Sequence, residues 1–562
     1  MKHLQEINIV DQVGRGFWEK KDLFKGTGML SWRKEGKFFC PFGEQLQVPL
    51  VEKILNCFAA PKRDKETPYY QGRKKLTLGT DQGKAIDMAL SGKSLCIQAT
   101  AGSGKSTWVS EFCHETRGSV LNLTFSRESK NDLIKKIPTD GNCVVQNFHG
   151  LALSFMSRIL GGKISIDIGG SKYYKFFKDN PYESSEKIKR VVNEIACRNL
   201  AGMVMNSLTD YNDNKAMMAL AGHYVNNLCF FMFAKFLDWD WMIETTQKLM
   251  VFLEKDAFKN KGVTFDEMLY YFAKSNIDCP NYDTVIVDEC QDTNPCQVAM
   301  IRKFVKKQII AVGDKKQAIY GFRGADHMAV ENLVKTFHLT EMPLMETRRV
   351  PQVIVDRLNK KFNIDMKTAK PGGEIFEANG IDPTQYKAKD MLLARRRVDV
   401  LNGCLELNCA NVPAAMIGDD LASMLLGALR HTKSYKDVDG KVVSGTTCPE
   451  TIANRLGSGD PDNPDDDKIT LTKRVLSRSK DLNEFIEKSA AICSLDETKV
   501  SCGTCHSAKG LESETVHLFI GPDGFSPNMP MQEWEKQSEV NLRFVAESRA
   551  LNKLNIISVS EG

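Results

Sequence analysis

The stretch that most constrains the fold is residues 94–107, with the letters SLCIQATAGSGKST. A short apolar run breaks into glycines and ends in Lys-Ser-Thr, which predicts a strand, a phosphate-binding loop and the first turn of a helix. Gly102 and Gly104 allow successive backbone N–H groups to turn inward, and the helix N-terminus that follows adds partial positive charge. The stretch therefore predicts an anion-binding site inside an α/β domain.

Side chains of this loop have predicted roles as well. Lys105 is expected to reach the β- and γ-phosphates of a nucleotide, and the Ser106 hydroxyl to bind Mg²⁺, which prefers hard oxygen ligands. Ala99 stands where the usual pattern begins with glycine, so a plain glycine turn before a helix is the alternative. The other predicted phosphate contacts are Ala101, Gly102, Ser103, Gly104 and Thr107.

Composition sets wide limits on function. The 562 residues, 42% hydrophobic and 26% charged, indicate several globular domains, and a net charge of +5 permits a nucleic-acid partner without requiring one. The first residues carry charges where a signal peptide needs an apolar core, and polar residues interrupt the most apolar stretch, residues 217–242. The sixteen cysteines show no zinc-finger spacing. We expect a cytoplasmic location and no membrane contact.

A second acidic motif complements the loop. Residues 282–289 read as a buried strand that ends in two carboxylates. Asp288 is expected to hold Mg²⁺ through water, and Glu289 to act as the base for an attacking water. Acidic residues also begin many ordinary loops, but the combination with a phosphate loop favours a site for nucleotide hydrolysis.

A third apolar run, residues 308–312, leads into the block GDKKQAIYGFRGA. Gln317 can contact a γ-phosphate, and Tyr320 and Phe322 can contact a base a few residues further on. This arrangement is typical of a protein that couples nucleotide state to its hold on a strand. If the block stood alone, two core aromatics beside a glycine turn would be the better interpretation.

Other candidate contacts lie at predicted strand ends. Phe125 ends the strand-like run SVLNLTF, and His149 follows a second β-branched run, although a capping or core histidine is an equal alternative. Gln82, just before the phosphate loop, has an amide suited to the edge of adenine. Residues 1–75 mix aromatic and basic side chains, which fits either strand binding or a solvated extension.

Taken together, these motifs resemble those of superfamily 1 helicases of the UvrD/Rep/PcrA type, with further likeness to F-box DNA helicases. The resemblance implies an α/β fold with two RecA-like P-loop motor domains, each with a parallel sheet and an inserted, mainly helical subdomain. The matching blocks, in chain order, are LGTDQ, ATAGSGKST, LTFSR, NFHG, TFDEM, VDECQD, GDKKQAIYGFRGA, ETRR, LLARRR, CHSAKGLE and NLRFVAESRA.

The resemblance also assigns residues. Arg349 and Arg549 correspond to two arginines that enter the site from the second motor domain, where planar guanidinium groups suit a transferring phosphoryl group. Arg348 replaces an aromatic residue that commonly stacks on adenine, and Glu512 is expected near the ribose. The implied strand-binding residues are Phe125, Phe148, His149, Tyr320, Phe322, Arg323, Thr504 and His506.

The same resemblance gives domain boundaries. The first motor domain is expected to contain residues 76–150 and 263–345, with residues 151–262 as its helical insertion. The second is expected to contain residues 346–398 and 495–562, with a reduced insertion. The two remaining segments are that insertion, residues 399–494, and an extension of unknown role, residues 1–75.

The implied activity is an ATP-dependent DNA helicase that moves 3′ to 5′ on single-stranded DNA and unwinds duplexes in replication, repair or recombination. ATP and Mg²⁺ are the expected cofactors. We expect a monomer that binds single strands and single/double-strand junctions, with replication or recombination proteins as partners; the compact chain suits a phage gene and a host cytoplasm. Two alternatives stay open: a translocase that only displaces bound proteins, and a nucleotide-switched strand-binding module.

Overall fold

A computed structural model describes the chain in two compact units. One contains residues 75–371 and 528–545, and the other contains residues 1–74, 372–527 and 546–562. The residues described are 5–8, 31–32, 37–40, 78–137, 142–227, 234–319, 328–418, 435–436, 442–443, 446–456, 472–521, 524–525 and 532–558.

The first unit is built on a six-stranded sheet in which all neighbouring strands are parallel. The four central strands are mostly buried, because helices cover both faces of such a sheet, whereas the two edge strands are more exposed. The spatial order is β6-β1-β5-β4-β2-β3. The strands are β1 Leu95–Ala99, β2 Val120–Thr124, β3 Cys143–Asn147, β4 Tyr282–Asp288, β5 Val305–Gly313 and β6 Thr340–Leu344.

Helices connect these strands and cover the sheet. Because parallel strands all end at one edge, the residues that follow β1, β4 and β5 are brought together there. The helices next to the sheet are α1 Thr80–Leu90, α2 Lys105–Glu115, α3 Arg127–Ile134, α4 Phe148–Leu160, α9 Phe265–Lys274, α10 Pro295–Arg302, α11 Ala329–Phe337 and α12 Gln352–Phe362.

Between α4 and α9 the chain is mainly helical, as the sequence predicted. A buried ion pair fixes this segment to α9: Lys172 Nζ lies 2.6 Å from Glu267 Oε1, and the two side chains are 6% and 0% exposed. The Glu267 carboxylate also closes a capping box with Thr264 at the start of α9. The helices of the segment are α5 Ser171–Asp179, α6 Lys187–Ser207, α7 Asn214–Asn227 and α8 Trp239–Asn260.

The second unit also contains a six-stranded, entirely parallel sheet. Its order is β7-β12-β11-β8-β10-β9. The prediction of an α/β chain with two parallel-sheet domains is confirmed. The strands are β7 Glu374–Asn379, β8 Met391–Ala394, β9 Ala414–Met416, β10 Val500–Thr504, β11 Ser513–Ile520 and β12 Ala550–Ser558.

Three helices of this unit have defined bounds, and a short turn of helix spans residues 472–477. One more helix, α16, belongs to the first unit over most of its length and leads into β12 of the second sheet. These helices are α13 Arg397–Cys409, α14 Pro449–Arg455, α15 Leu482–Cys493 and α16 Glu533–Glu547. Short strands outside the two sheets are Gln5–Asn8, Ser31–Trp32, Lys37–Cys40, Ser165–Ile166, Gly262–Val263, Glu346–Thr347, Lys367–Thr368, Tyr435–Lys436 and Val442–Val443.

Polar side chains form a cluster inside the second sheet. His517 on β11 lies opposite Asn555 on β12, and Asn555 Nδ2 is 3.1 Å from His517 Nδ1. The other imidazole nitrogen, Nε2, is 3.4 Å from Asp390 Oδ2, and the Tyr386 ring stacks on the imidazole at 3.8 Å. In the part of the chain that the structure describes, no helix combines the length and apolar character needed to cross a bilayer.

Candidate nucleotide-binding and catalytic site

The loop between β1 and α2 has a backbone that only glycine fits. Gly102 and Gly104 have φ values of 73° and 81°. A Cβ on Gly102 would lie 2.4 Å from Arg349 Cβ, and a Cβ on Gly104 would lie 2.7 Å from Gln82 Nε2. Both conformation and space therefore require glycine, as expected for a backbone that closes around a phosphate.

This loop also leaves one buried hydroxyl without a partner. Ser103 is 2% exposed, and its Oγ makes no hydrogen bond. A buried polar atom of this kind costs free energy unless a ligand satisfies it. Beside it, Lys105 begins α2, Ser106 is exposed and Thr107 is half-buried. Ala101 is buried. The loop fits a bound phosphate chain.

The carboxylates at the end of β4 face the loop lysine. Lys105 Nζ lies 2.9 Å from Glu289 Oε1, with 15% and 22% of the two side chains exposed. Burial pushes the pKa of Lys105 down, but the nearby carboxylates of Glu289, Asp288 and Asp314 outweigh it, and the net pKa is raised. The lysine therefore carries its full positive charge at neutral pH.

Glu289 is held in an unusual backbone conformation. Its φ is 52°, in the left-handed region, and its N–H donates to Asp288 Oδ1 over 3.0 Å. A non-glycine residue adopts this conformation only where the surroundings enforce it, and such residues cluster at functional sites. The turn directs the Glu289 carboxylate to Lys105 while Asp288 remains half-buried at the strand end.

From Glu289 a hydrogen-bonded network runs to the segment after β5. Gln291 Nε2 donates to Glu289 Oε2 over 2.5 Å, and Gln291 Oε1 accepts from the Asp314 backbone N–H over 3.0 Å. Asp314 Oδ2 in turn accepts from Gln317 Nε2 over 2.7 Å. Burial raises the pKa of Asp314, although the positive charge of Lys105 opposes the shift. The predicted γ-phosphate contact, Gln317, is thus linked to the predicted base.

Gln82 stands on the other side of the loop. Its Nε2 donates to Ser103 O over 2.8 Å, and its Oε1 accepts from the Gly79 N–H and from Arg348 Nη2. The crevice beside it has a volume of only about 10 Å³, which is the size of one water molecule. A base can enter only if the exposed Arg348 side chain moves. The crevice is lined by Gly79, Asp81, Gln82, Ser103, Leu344, Glu346 and Arg348.

The double-arginine segment lies against the phosphate loop. The Arg348 N–H donates to Gly102 O over 3.0 Å, and the Arg349 N–H donates to Thr347 Oγ1 over 3.2 Å. The strands Glu346–Thr347 and Lys367–Thr368 pair with each other and not with the second sheet. Residues 346–371 therefore share a compact unit with the loop, whereas the resemblance assigned them to the second motor domain.

The predicted strand-binding residues of the first unit differ in how far their side chains are exposed. Phe125 and His149 are half-buried, but Phe148 is 1% exposed and packs edge-on against Phe125 at 5.3 Å. Phe148 therefore supports Phe125 and offers no face for a base, because its side chain is buried in the hydrophobic core. Burial lowers the pKa of His149, which keeps its ring neutral at pH 7.

The structure adds residues that the sequence motifs did not assign. Phe265, the first residue of α9, is 45% exposed and meets the His149 ring edge-on at 5.5 Å. Gln291 joins the Glu289 carboxylate to the Asp314 backbone. Phe265 belongs to the block TFDEM and Gln291 to VDECQD, so each had a signal, but neither motif reveals which side chain stays exposed or which neighbour it contacts.

Tyr320, Phe322 and Arg323 lie outside the described residues. In the second unit, Arg549 is 1% exposed, and its guanidinium donates to Leu511 O and Ser548 Oγ over 3.4 Å and 3.1 Å.

Three other predicted site residues, Glu512, Thr504 and His506, also belong to the second unit. Glu512 is exposed, whereas Thr504 and His506 are half-buried, and Thr504 Oγ1 accepts from the Ser507 N–H over 3.2 Å. The site roles of Arg549, Glu512, Thr504 and His506 stay predictions.

A Mg²⁺ ion has suitable ligands here only in combination with phosphate. Searched over the described ranges, the chain contains no group of three or more His, Cys, Asp or Glu side chains placed to hold a metal. Asp288 is the last residue of β4, and Ser106 lies in the first turn of α2, which follows β1; β1 and β4 end at the same edge of the sheet. Mg²⁺ is commonly held by one or two protein oxygens plus substrate phosphates and water, which this pair fits.

Part of the chain is similar in sequence to proteins named DNA helicases. Residues 78–338 match the family model of the UvrD/REP helicase N-terminal domain. F-box DNA helicase protein 1 of Schizosaccharomyces pombe is 26% identical over 293 residues, 48% of this chain and 31% of the relative. ATP-dependent DNA helicase PcrA of Leuconostoc citreum is 23% identical over 345 residues, 56% of this chain and 43% of the relative.

The Bacillus subtilis PcrA is 22% identical over 306 residues, 48% of this chain and 38% of its own length, so the chain spans less than half of each of these relatives. An arterivirus nonstructural protein 10 (helicase) structure aligns with 84% of this chain and 61% of its own at 11% identity and a TM-score of 0.31, too weak a likeness to support an argument. Residues 78–338 are therefore similar to the UvrD/REP helicase N-terminal domain, and the relatives that the chain resembles are DNA helicases of the PcrA and F-box types.

Proposed function

We propose that this protein is an ATP-dependent DNA helicase that moves along single-stranded DNA and unwinds duplexes. The observation that carries the proposal is the contact between Lys105 and Glu289 beneath a loop that only glycine can form. A lysine for the phosphates and a carboxylate for the attacking water are two of the charged groups that catalyse hydrolysis of a phosphoanhydride. The relatives named above add weight to the choice of DNA as the track.

The ion pair suggests how hydrolysis is restrained without nucleotide. While Glu289 Oε1 accepts from Lys105, the carboxylate is engaged and cannot activate water. Entering phosphates compete for the same Nζ, since charge-assisted hydrogen bonds to phosphate are strong. Glu289 then keeps its Gln291 partner and becomes the base, positioned by its left-handed backbone. When Mg²⁺ is bound, it supplies charge neutralisation at the phosphates, with Asp288 and Ser106 as its protein ligands.

A strand-binding patch on the same unit supports the proposed track. Phe125, His149 and Phe265 are partly exposed aromatic rings near the end of β2 and the starts of α4 and α9. Aromatic faces bind bases of any sequence by stacking, which suits a protein that steps along its track. Polarity 3′ to 5′, monomeric action and a cytoplasmic location are part of the proposal.

The first test is ATP hydrolysis with and without a single-stranded oligonucleotide. Wild-type protein is expected to release phosphate faster with the strand, and Lys105→Ala to abolish release while strand affinity stays within about twofold, since the lysine faces only the phosphates. Strand binding that depends on nucleotide without any phosphate release would instead favour the nucleotide-switched binding module.

The second test uses duplexes with a 3′ or a 5′ single-stranded tail. Separation of the 3′-tailed duplex alone supports the helicase with the proposed polarity. A parallel assay measures release of streptavidin from a biotinylated single strand. Streptavidin release without separation of either duplex would favour the translocase that only displaces bound proteins.

A further inference from the structure

The helix α16 contacts the segment that carries Gln317. Asn541, 4% exposed, donates from Nδ2 to two backbone carbonyls, Lys315 O over 3.2 Å and Ala318 O over 3.0 Å. Lys315–Gln317 form a single turn of 3₁₀-helix, so the Asn541 amide joins the two ends of that turn. Asn541 is the first residue of the block NLRFVAESRA, in which the resemblance assigns a role only to Arg549.

A second side chain on α16 fixes the direction of this amide. Gln537, one turn earlier, donates from Nε2 to Asn541 Oδ1 over 2.9 Å. Because Oδ1 accepts this bond, Nδ2 is the group that faces the two carbonyls. All five polar atoms of the contact are therefore matched in donor and acceptor character, which specifies one arrangement of α16 against the turn.

The Lys315–Gln317 turn is connected to the phosphate loop by a network of hydrogen bonds. Lys105 contacts Glu289, Gln291 joins Glu289 to the Asp314 backbone, and the Asp314 carboxylate accepts from Gln317. Asn541 then continues the connection into α16.

The same helix touches the element that follows the double-arginine segment. Phe544 on α16 packs edge-on against Phe362 on α12 at 5.5 Å, and α12 begins three residues after Arg349. At its other end α16 continues through Ser548 and Arg549 into β12 of the second sheet. A movement of the turn can therefore be passed along α16 to the segment that begins β12.

We propose that Asn541 is a positioning residue that transmits the nucleotide state of the phosphate loop, through the Lys315–Gln317 turn, to helix α16. The inference rests on the proposed function, because it requires that the loop binds nucleotide. It assigns Asn541 no contact with substrate. Its role is to keep the turn and the helix moving as one body.

Asn541→Asp is the sharpest variant. It has the same shape, but at neutral pH the carboxylate cannot donate and faces two carbonyl oxygens, so attraction becomes repulsion. Gln532→Glu is the matched control, because it adds the same charge at an exposed position just before α16. Gln537→Leu is a second, milder variant: it removes only the bond that orients the amide, and Gln537 is exposed.

The experiment is hydrogen exchange of the full chain, measured by mass spectrometry with and without a non-hydrolysable ATP analogue and Mg²⁺. In wild type and Gln532→Glu, the analogue is expected to slow exchange both at the phosphate loop and in residues 533–547. In Asn541→Asp the loop response stays, and the α16 response falls to less than half. Gln537→Leu is expected to reduce the α16 response by a smaller amount and decides the question if Asn541→Asp does not fold.

Strand-stimulated hydrolysis gives an independent readout. In Asn541→Asp the ratio of stimulated to basal rate is expected to fall about tenfold, the effect of losing two hydrogen bonds, with nucleotide affinity nearly unchanged. A merely structural role predicts an equal fall of both rates together with a lower melting temperature.

The outcomes separate the two proposals. A loop response with no α16 response in wild type, or an undiminished α16 response in the variants, overturns the role of Asn541 and leaves the proposed function intact. No response at the phosphate loop overturns the proposed function, and the coupling with it.

Discussion

The two parallel sheets use polar residues in opposite ways. In the first unit, charged residues stand just past the strand ends: Lys105 after β1, Glu289 after β4 and Asp314 after β5. In the second unit, His517 and Asn555 lie in the middle of neighbouring strands and are 1% and 6% exposed. Side chains past a strand end can meet a ligand, whereas those inside a sheet can meet only each other.

The interior cluster suits a different purpose. His517 bonds Asn555 across the register and contacts Asp390, which directly precedes β8, so three strands are specified relative to one another. Apolar parallel strands can slide, because one valine packs much like the next, and a polar pair penalises the wrong register. Polar residues just past the strand ends are therefore placed to contact a ligand, whereas polar residues inside the sheet specify its register.

The largest effect is expected at the edge of the first sheet. Glu289→Gln should slow ATP hydrolysis by about 10²- to 10⁴-fold, the usual contribution of a general base. ATP affinity should be unchanged or higher, because an amide holds Lys105 less strongly than a carboxylate does. Phosphate release and nucleotide binding measure the two effects. A loss of binding equal to the loss of rate would show that Glu289 holds the nucleotide.

A smaller effect is expected at the strand-binding patch formed by Phe125, His149 and Phe265. Phe265→Ala should weaken single-strand binding by about 5- to 150-fold, because one stacked base contributes about 1–3 kcal/mol. Phe258→Ala is the matched control, since both rings are 45% exposed but Phe258 lies on α8. Fluorescence anisotropy of a labelled oligonucleotide measures both. Equal weakening by the two variants would remove Phe265 from the site.

The interior of the second sheet should respond in stability alone. His517→Leu leaves the Asn555 amide and the Asp390 carboxylate each with one partner fewer, which should lower the free energy of unfolding by about 1–3 kcal/mol. Basal hydrolysis per folded molecule should not change. Chemical denaturation and phosphate release, measured on one preparation, test the distinction. A large loss of rate in folded protein would break the contrast between edge and interior.

The smallest effect is expected on the pH dependence of stability at Asp283, which lies at the start of β4, at the opposite end from Glu289. Lys307 and the Ser119 backbone and hydroxyl donate to Asp283 and lower its pKa to about 2. The carboxylate therefore stabilises the fold above its ordinary pKa of 3.8, and this contribution is lost as the pH falls toward 2. Asp283→Asn should flatten the decline of the denaturation midpoint between those pH values. Parallel curves for the two proteins would contradict the assignment.

Much of the first unit was evident in the sequence because its signals are local. Apolar runs predicted strands at residues 119–125, 282–289 and 308–312, and strands occur at Val120–Thr124, Tyr282–Asp288 and Val305–Gly313. In residues 282–289, the β-branched residues before the carboxylates are enough to predict a buried strand. Gly102 and Gly104 likewise stand where positive φ leaves few other choices.

The sequence by itself therefore determined the parallel α/β fold and the chemical groups at the edge of the first sheet, because strand patterning and glycine conformation are properties of short segments. Only the tertiary structure decided that Phe148 is buried while Phe265 is exposed, that Arg348 lies against Gly102, and that Asn541 meets the Lys315–Gln317 turn. Each of these depends on which surfaces of distant segments come together. A contact between residues more than two hundred positions apart leaves no mark in the periodicity of either segment.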